Sequence, residues 1–120
     1  MPSTAEEIRT AVERVQAEAP ALANLKLVFG LELRGRGDVQ AYRVEVPGPS
    51  ISKGFGQDER LHVSVPRTNF NDLAAKGGLA GWQRAYELGQ VKVEGDPEVR
   101  KLIGTVIARQ LARARLRRAR

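Results

Sequence analysis

Cysteine is absent from this sequence, histidine and tryptophan each occur once, and aromatic residues make up only 5% of the chain. Without cysteine there is no disulfide, no thiolate nucleophile and no cysteine metal site. The lack of disulfides fits a cytoplasmic protein. No apolar run approaches the roughly 20 residues that a membrane-spanning helix needs, and no secretory leader is visible. We expect a cytoplasmic protein with a single domain over residues 1–120.

Acidic residues are missing from one end of the chain. Residues 109–120 contain six arginines and no acid, whereas the other 14 basic residues are balanced by 14 acids in residues 1–108. The formal net charge of +6 therefore belongs to this segment, and the rest of the domain is neutral. A neutral domain argues against a broad surface for binding nucleic acid.

The clearest local pattern is a β-hairpin. Apolar side chains alternate with polar or small ones on both sides of a turn at residues 35–38, as in strands with one buried face. A hairpin that is symmetric about this turn places three opposed pairs on one face of the sheet. These pairs are Leu31 with Tyr42, Phe29 with Val44, and Leu27 with Val46.

Similar patterns predict the remaining elements. Alternation predicts strands at residues 50–55, 61–65 and 91–94. Apolar residues three and four apart predict helices at residues 4–18, from Thr68 to the glycines at 77–78, at 79–88, and from residue 97 onward. Thr68 is expected to cap the second of these helices.

The start of the last helix has the strongest local signals. Gly95 allows a sharp turn after the strand, Asp96 is a favourable N-cap, and Pro97 suits the first helical position. Beyond this start, an apolar face recurs at helical spacing along Val99, Leu102, Ile103, Val106, Ile107 and Leu111. A strand therefore leads directly into a long amphipathic helix that needs a sheet to cover.

The order of elements in the second half of the chain resembles a known family. Residues 61–65 have the pattern of a strand, residues 69–73 enter a helix, and Trp82 and Ala85 lie in the next helix. Residues 89–96 form a strand that ends in Gly-Asp before the last helix. This order is similar to that of the sterol carrier protein-2 (SCP-2) superfamily of lipid-transfer domains, and the upstream helix and hairpin also match it.

The resemblance implies an α+β fold with a mainly antiparallel, curved sheet of about five strands covered on one face by helices. It also implies an apolar tunnel between sheet and helices that binds fatty acyl chains, sterols or isoprenoid-like molecules. The residues expected to converge there are Phe29, Leu31, Tyr42, Val44, Val63, Phe70, Leu73, Trp82, Tyr86, Val91, Ile103 and Ile107. Polar groups of Tyr42, Tyr86 and His62 are expected near the mouth.

Two other functions remain open at this point. One is a structural or accessory module in which the same apolar residues form a filled core. The other is a small enzyme that uses the pocket, for which the sequence offers little. His62 is a candidate base beside Ser64, but no acid nearby would orient it, and no cluster of metal ligands is present. We therefore expect non-catalytic binding with no cofactor and no metal.

The arginine-rich end has three interpretations. Cations at the end of a helix complement the negative pole of its dipole. They also attract anionic lipid headgroups, which would suit a carrier that docks on membranes. Contact with nucleic acid is the least favoured, because no aromatic stacking residues accompany the charges. The residues concerned are Arg109, Arg113, Arg115, Arg117, Arg118 and Arg120.

Overall fold

The helices and strands follow one another in an order close to the expected one. The computed structural model describes residues 3–118. The elements are α1 (Thr4–Glu18), α2 (Pro20–Ala23), β1 (Leu27–Arg34), β2 (Val39–Val46), β3 (Ser50–Lys53), β4 (Leu61–Pro66), α3 (Arg67–Lys76), α4 (Leu79–Glu87), β5 (Lys92–Gly95) and α5 (Pro97–Arg118). Within the described residues, none of the helices has the length and hydropathy required to span a membrane.

The five strands form one sheet in the order β3-β2-β1-β4-β5. Neighbouring strands are antiparallel except β1 and β4, which are parallel. The expected α+β fold with a mainly antiparallel sheet is confirmed. The hairpin register is also confirmed, because Leu31 pairs with Tyr42, and the two following pairs are Phe29 with Val44 and Leu27 with Val46.

All the helices lie on one face of the sheet. Strand alternation places a continuous row of apolar side chains on this face, running across the strands through Val93, Val63, Leu31 and Tyr42. The opposite face is polar and is crossed by residues 54–60, which connect β3 to β4. Side chains at opposite faces alternate along a strand, so the two faces differ completely in chemistry.

The crossing segment is tied to the polar face at three places. Arg43 on β2 forms an ion pair with Asp58, at 2.5 Å from Nη2 to Oδ2. The carboxylate of Glu59 lies over Gly30, where any side chain would collide with it. The backbone N–H of Arg60 donates to the carbonyl of Val28 at 2.7 Å.

Two long-range contacts fix the ends of the later helices. The Glu18 carboxylate at the end of α1 accepts a hydrogen bond from the backbone N–H of Leu79 at 2.6 Å, which caps α4. Asp96 caps α5 as expected, since its Oδ1 accepts from the N–H of Glu98 at 2.9 Å. Its other oxygen pairs with Arg60. Side-chain acceptors of this kind satisfy the amides that a helix start leaves free.

Two details of the sequence interpretation were wrong. Thr68 does not cap α3, because the helix already begins at Arg67, and Pro66 in the capping position has no side-chain acceptor. Leu102 does not lie on the covered face of α5 but is 51% exposed. That helix contacts α2, α4 and β5, and its apolar stripe is only partly covered.

Two glycines next to α5 predict opposite responses to the same substitution. Gly95 has a φ of +126°, and a Cβ there would collide with the carbonyl oxygen of Arg60, whereas a Cβ at Gly104 meets nothing within 4 Å. We expect Gly95→Ala to lower the free energy of unfolding by about 2 kcal/mol through backbone strain. Gly104→Ala should raise it by about 1 kcal/mol through helix propensity. Urea titration measures the free energy of unfolding of both variants. Changes of the same sign would contradict the different backbone environments assigned to the two glycines.

Candidate functional site

A cleft of about 370 Å³ lies between the helix-covered face of the sheet and the helices above it. This volume falls at the lower end of the range for small-molecule sites. Its lining is mostly apolar and consists of Ile8, Ala11, Val12, Val15, Gln16, Leu22, Leu25, Leu27, Phe29, Leu31, Val46, Leu61, Val63, Phe70, Trp82, Gln83, Tyr86, Val91, Val93, Arg100, Ile103, Gly104 and Ile107.

The floor of the cleft is set by the parallel pairing of β1 with β4. In this register Phe29 lies beside Leu61 and Leu31 beside Val63, so four apolar side chains form a flat patch on the helix side. Val93 on β5 extends the patch by one strand, because it pairs with Val63. The floor is therefore held by backbone hydrogen bonds and not by side-chain packing alone.

The walls come from both ends of the chain. One wall is the apolar stripe of α1, and the other is formed by α4 and the first half of α5. Trp82 packs edge-on against Phe70 with ring centroids 6.3 Å apart. The cleft is open to solvent, and its exposed lining residues lie on α4 and α5: Tyr86 is 45% exposed, and Arg100 and Gly104 are also exposed.

Nine of the twelve side chains expected at a ligand site line this cleft. They are Phe29, Leu31, Val63, Phe70, Trp82, Tyr86, Val91, Ile103 and Ile107.

The other three lie elsewhere on the same side of the sheet. Tyr42 and Val44 are 6% and 0% exposed and belong to the buried core, but they do not line the cleft. They lie on β2, one strand nearer than β1 to the β3 edge that α1 contacts. Leu73 on α3 is partly buried and lies against Gly77. Alternation predicts the face of a residue correctly, but not which helix covers it.

His62 lies on the polar face, away from the cleft, so it is not a polar group at the mouth. Its Nδ1 is 3.1 Å from Glu59 Oε1 and its Nε2 is 3.2 Å from Glu32 Oε1. Ser64 donates to Glu32 at 3.2 Å, and no hydrogen bond joins it to His62 in the part of the chain that the structure describes. The ring of Phe55 packs against His62 at 4.8 Å between centroids.

The two carboxylates change the titration of this histidine. Partial burial pulls the pKa of His62 down, but hydrogen bonds to Glu32 and Glu59 outweigh burial, so the pKa lies above its ordinary value. The arrangement resembles an acid–histidine–acid bridge between β1, β4 and the crossing segment. It holds the polar face together and contributes nothing to the cleft.

Several lining residues were absent from the sequence expectation. The stripe of α1 through Ile8, Val12 and Val15 was recognised as apolar, but nothing local showed that it would face α5 across a gap. Arg100 and Gln83 were also missed. Arg100 could have been found by its spacing, because it lies three residues before Ile103 and one turn before Gly104 on the same side of the helix.

Comparison with known proteins identifies the fold. The chain is similar to the solution structure of palmitated SCP2L2 from Aedes aegypti, with a TM-score of 0.58, 21% identity, and coverage of 83% of this chain and 93% of that one. It is similar to the sterol carrier protein domain 2 of Helicoverpa armigera, with a TM-score of 0.57, 12% identity and 85% coverage of both chains.

A yeast structure agrees with the two insect ones. Sterol carrier protein 2 from Yarrowia lipolytica, in its apo form, has a TM-score of 0.51 and 19% identity, covering 68% of this chain and 70% of that one. No protein-family model matches the chain, and no curated protein sequence matches it either. The chain has an SCP-2-like fold, as the order of its sequence elements predicted.

The bridge at His62 predicts a pH-dependent contribution to stability. Because the pKa is higher in the folded state, His62 stabilises the fold fully below its unfolded pKa of about 6.5, and this contribution is lost as pH rises through the raised folded value. We expect His62→Gln to lower Tm most at about pH 5.5 and less above the folded pKa. Circular dichroism melts from acidic to alkaline pH test this, and a Tm difference that grows with pH would contradict it.

Proposed function

We propose that this protein binds the apolar part of a lipid-like molecule in the cleft and carries it without chemical change. The observation that supports the proposal is the apolar cleft of about 370 Å³ above the β1–β4 pair. Its ligand would be a fatty acyl, sterol or isoprenoid molecule. The palmitated SCP2L2 from Aedes aegypti, which has a similar fold, supports the acyl class.

The exposed apolar lining of the cleft supports an occupant. Water can enter at the open side, but water gains little from apolar walls. A guest with a hydrocarbon chain would remove this apolar surface from water, which stabilises the complex by about 25 cal/mol per Å² of surface buried. That gain favours a carrier over an accessory module with a filled core.

The proposed role is binding without catalysis. Of the lining side chains only Gln16, Gln83, Tyr86 and Arg100 have polar groups beyond the backbone. None of these provides a nucleophile paired with a base, so selectivity would come from shape and a few polar contacts. We place this carrier in the cytoplasm as part of the proposal, since proteins there rarely depend on disulfides and this chain has none.

We also propose that the second half of α5 docks the carrier on an anionic membrane surface. Arg109, Arg113, Arg115 and Arg117 are exposed, and none of them is in an ion pair within the described residues. The side chain of Arg118 and all of Arg120 lie outside the described residues. Like charges one turn apart destabilise a helix, and an anionic surface would remove that repulsion.

The exposed Leu116 favours a membrane over nucleic acid. This side chain is 69% exposed between the arginines, and an apolar group among cations suits the boundary of headgroups and acyl chains. The first half of α5 lines the cleft. Docking through the second half would therefore bring the cleft close to the membrane that supplies or receives the ligand.

A substitution that fills the cleft tests the binding proposal. Gly104→Leu places an isobutyl group in the cleft, whereas Thr105→Leu places it on the exposed side of the same helix turn. We expect Gly104→Leu to weaken binding of dibrominated stearyl alcohol about tenfold or more while raising the free energy of unfolding. Thr105→Leu should leave binding unchanged.

The readout comes from the single tryptophan, Trp82, which lines the cleft. Bromine quenches indole fluorescence at short range, so quenching reports a chain that has entered the cleft. Native mass spectrometry of the purified protein provides a second measurement, since a co-purifying lipid should be lost from Gly104→Leu. No quenching of the wild-type protein by either the alcohol or dibrominated stearate would contradict the proposed function.

Neutralising the arginine segment tests the docking proposal. We expect Arg109→Gln, Arg113→Gln and Arg117→Gln together to abolish sedimentation with phosphatidylserine vesicles, at up to about 1 kcal/mol per arginine near the surface. The matched control removes three exposed charges from the rest of the domain at Arg9, Lys26 and Lys53. Equal loss of sedimentation in both triple variants would contradict docking through α5, because it would show that only the net charge of the protein matters.

A further inference from the structure

Arg100 carries the one formal charge among the cleft-lining side chains of residues 3–118. The other strongly polar lining groups are the amides of Gln16 and Gln83, and no carboxylate lines the cleft in this part of the chain. A guanidinium at the edge of an otherwise apolar site gives the site one charged end. Such a site distinguishes ligands by head group as well as by chain.

The protein itself does not neutralise this guanidinium. No acidic oxygen of the described residues lies within 4.0 Å of it. Asp96, one helical turn earlier, is already engaged, because one of its oxygens pairs with Arg60 and the other accepts from the N–H of Glu98. The nearest candidate partner on the same helix is therefore committed elsewhere.

The position of Arg100 adds to the positive potential. It lies in the first turn and a half of α5, which begins at Pro97, and a helix start carries partial positive charge. A cation is disfavoured there unless an anion compensates it. The guanidinium and the helix start therefore both favour a negatively charged group in the space beside them.

The neighbouring turn leaves room for such a group and continues into apolar surface. Gly104 follows Arg100 by one turn, and a Cβ there would meet nothing within 4 Å. Ile103 and Ile107 line the cleft beyond it. The order along α5 is therefore a cation, an open space and an apolar wall, which matches a molecule with an anionic head and a hydrocarbon tail.

We propose that Arg100 binds the anionic head of the cleft ligand, and that this head is a carboxylate. A guanidinium binds a carboxylate through two parallel N–H···O hydrogen bonds, whereas a hydroxyl head offers one oxygen and no charge. This inference rests on the proposed function, since it concerns the same cleft. It makes Arg100 the residue that determines selectivity for a fatty acid over the corresponding neutral alcohol.

Paired ligands and paired variants test the assignment. Trp82 quenching gives the dissociation constants of dibrominated stearate and dibrominated stearyl alcohol for the full-length protein and for Arg100→Gln, Arg100→Lys and Lys101→Gln. Lys101 is the adjacent exposed cation that does not line the cleft. We expect the wild-type protein to prefer the acid about tenfold, the value of one charge-assisted contact.

Arg100→Gln should lose this preference by weakening stearate alone. Arg100→Lys should keep part of it, and Lys101→Gln should keep all of it. Added salt should reduce the preference of the wild-type protein but not its affinity for the alcohol.

Three results would overturn the assignment. Equal affinities of the wild-type protein for acid and alcohol would remove the charged subsite while leaving the carrier function intact. Equal weakening of both ligands by Arg100→Gln would make Arg100 a packing residue. Failure of both stearate and the alcohol to bind the wild-type protein would remove the cleft as a lipid site, and the subsite with it.

Discussion

The parallel pairing of β1 with β4 is the constraint on which the rest of the molecule depends. To bring β4 beside β1, the chain must cross the sheet between β3 and β4, and residues 54–60 make this crossing on the polar face. That leaves the other face to every helix. The helical layer is then assembled from two groups, one before β1 in sequence and one after β4, and they meet above the β1–β4 pair.

The cleft is the seam between these two groups of helices. Toward the β3 edge, which α1 contacts, the core is closed, and Val44 has no exposed surface. On the side of α4 and α5, the helices are held at their starts, by Glu18 on Leu79 and by Asp96 with Arg60. Leu79 and Ala85 of α4 are buried, whereas no side chain of α5 through Arg117 is fully buried.

The last helix combines two properties that usually belong to different parts of a protein. None of its side chains through Arg117 is fully buried. The position of α5 therefore depends on its N-cap and on partly buried contacts with α2, α4 and β5. An element with few buried contacts opens at low energetic cost. Its first half lines the apolar cleft, and its second half carries exposed arginines. The same helix therefore borders the cleft and presents positive charge to solvent.

Local sequence patterns determined a large part of this structure. Alternation through Phe29, Leu31 and Val44 specified the hairpin and its register, since a slip by one residue would turn the apolar face to solvent. Asp96 and Pro97 specified the start of α5, because a helix start needs an acceptor and no extra amide. The order of these elements was enough to predict an SCP-2-like fold.

Tertiary structure alone decided which apolar residues would be packed and which would border a space. Tyr42 and Leu31 are paired on neighbouring strands and have the same sequence signal. Yet Leu31 lines the cleft and Tyr42 does not, because Leu31 lies on β1 beside β4, whereas Tyr42 lies one strand nearer to the β3 edge that α1 contacts. Likewise, Arg100 is an ordinary surface arginine in sequence. Only the placement of α5 over the floor of the sheet makes it the charged edge of an apolar cleft, because hydrophobic periodicity specifies a face and not the distance to what covers it.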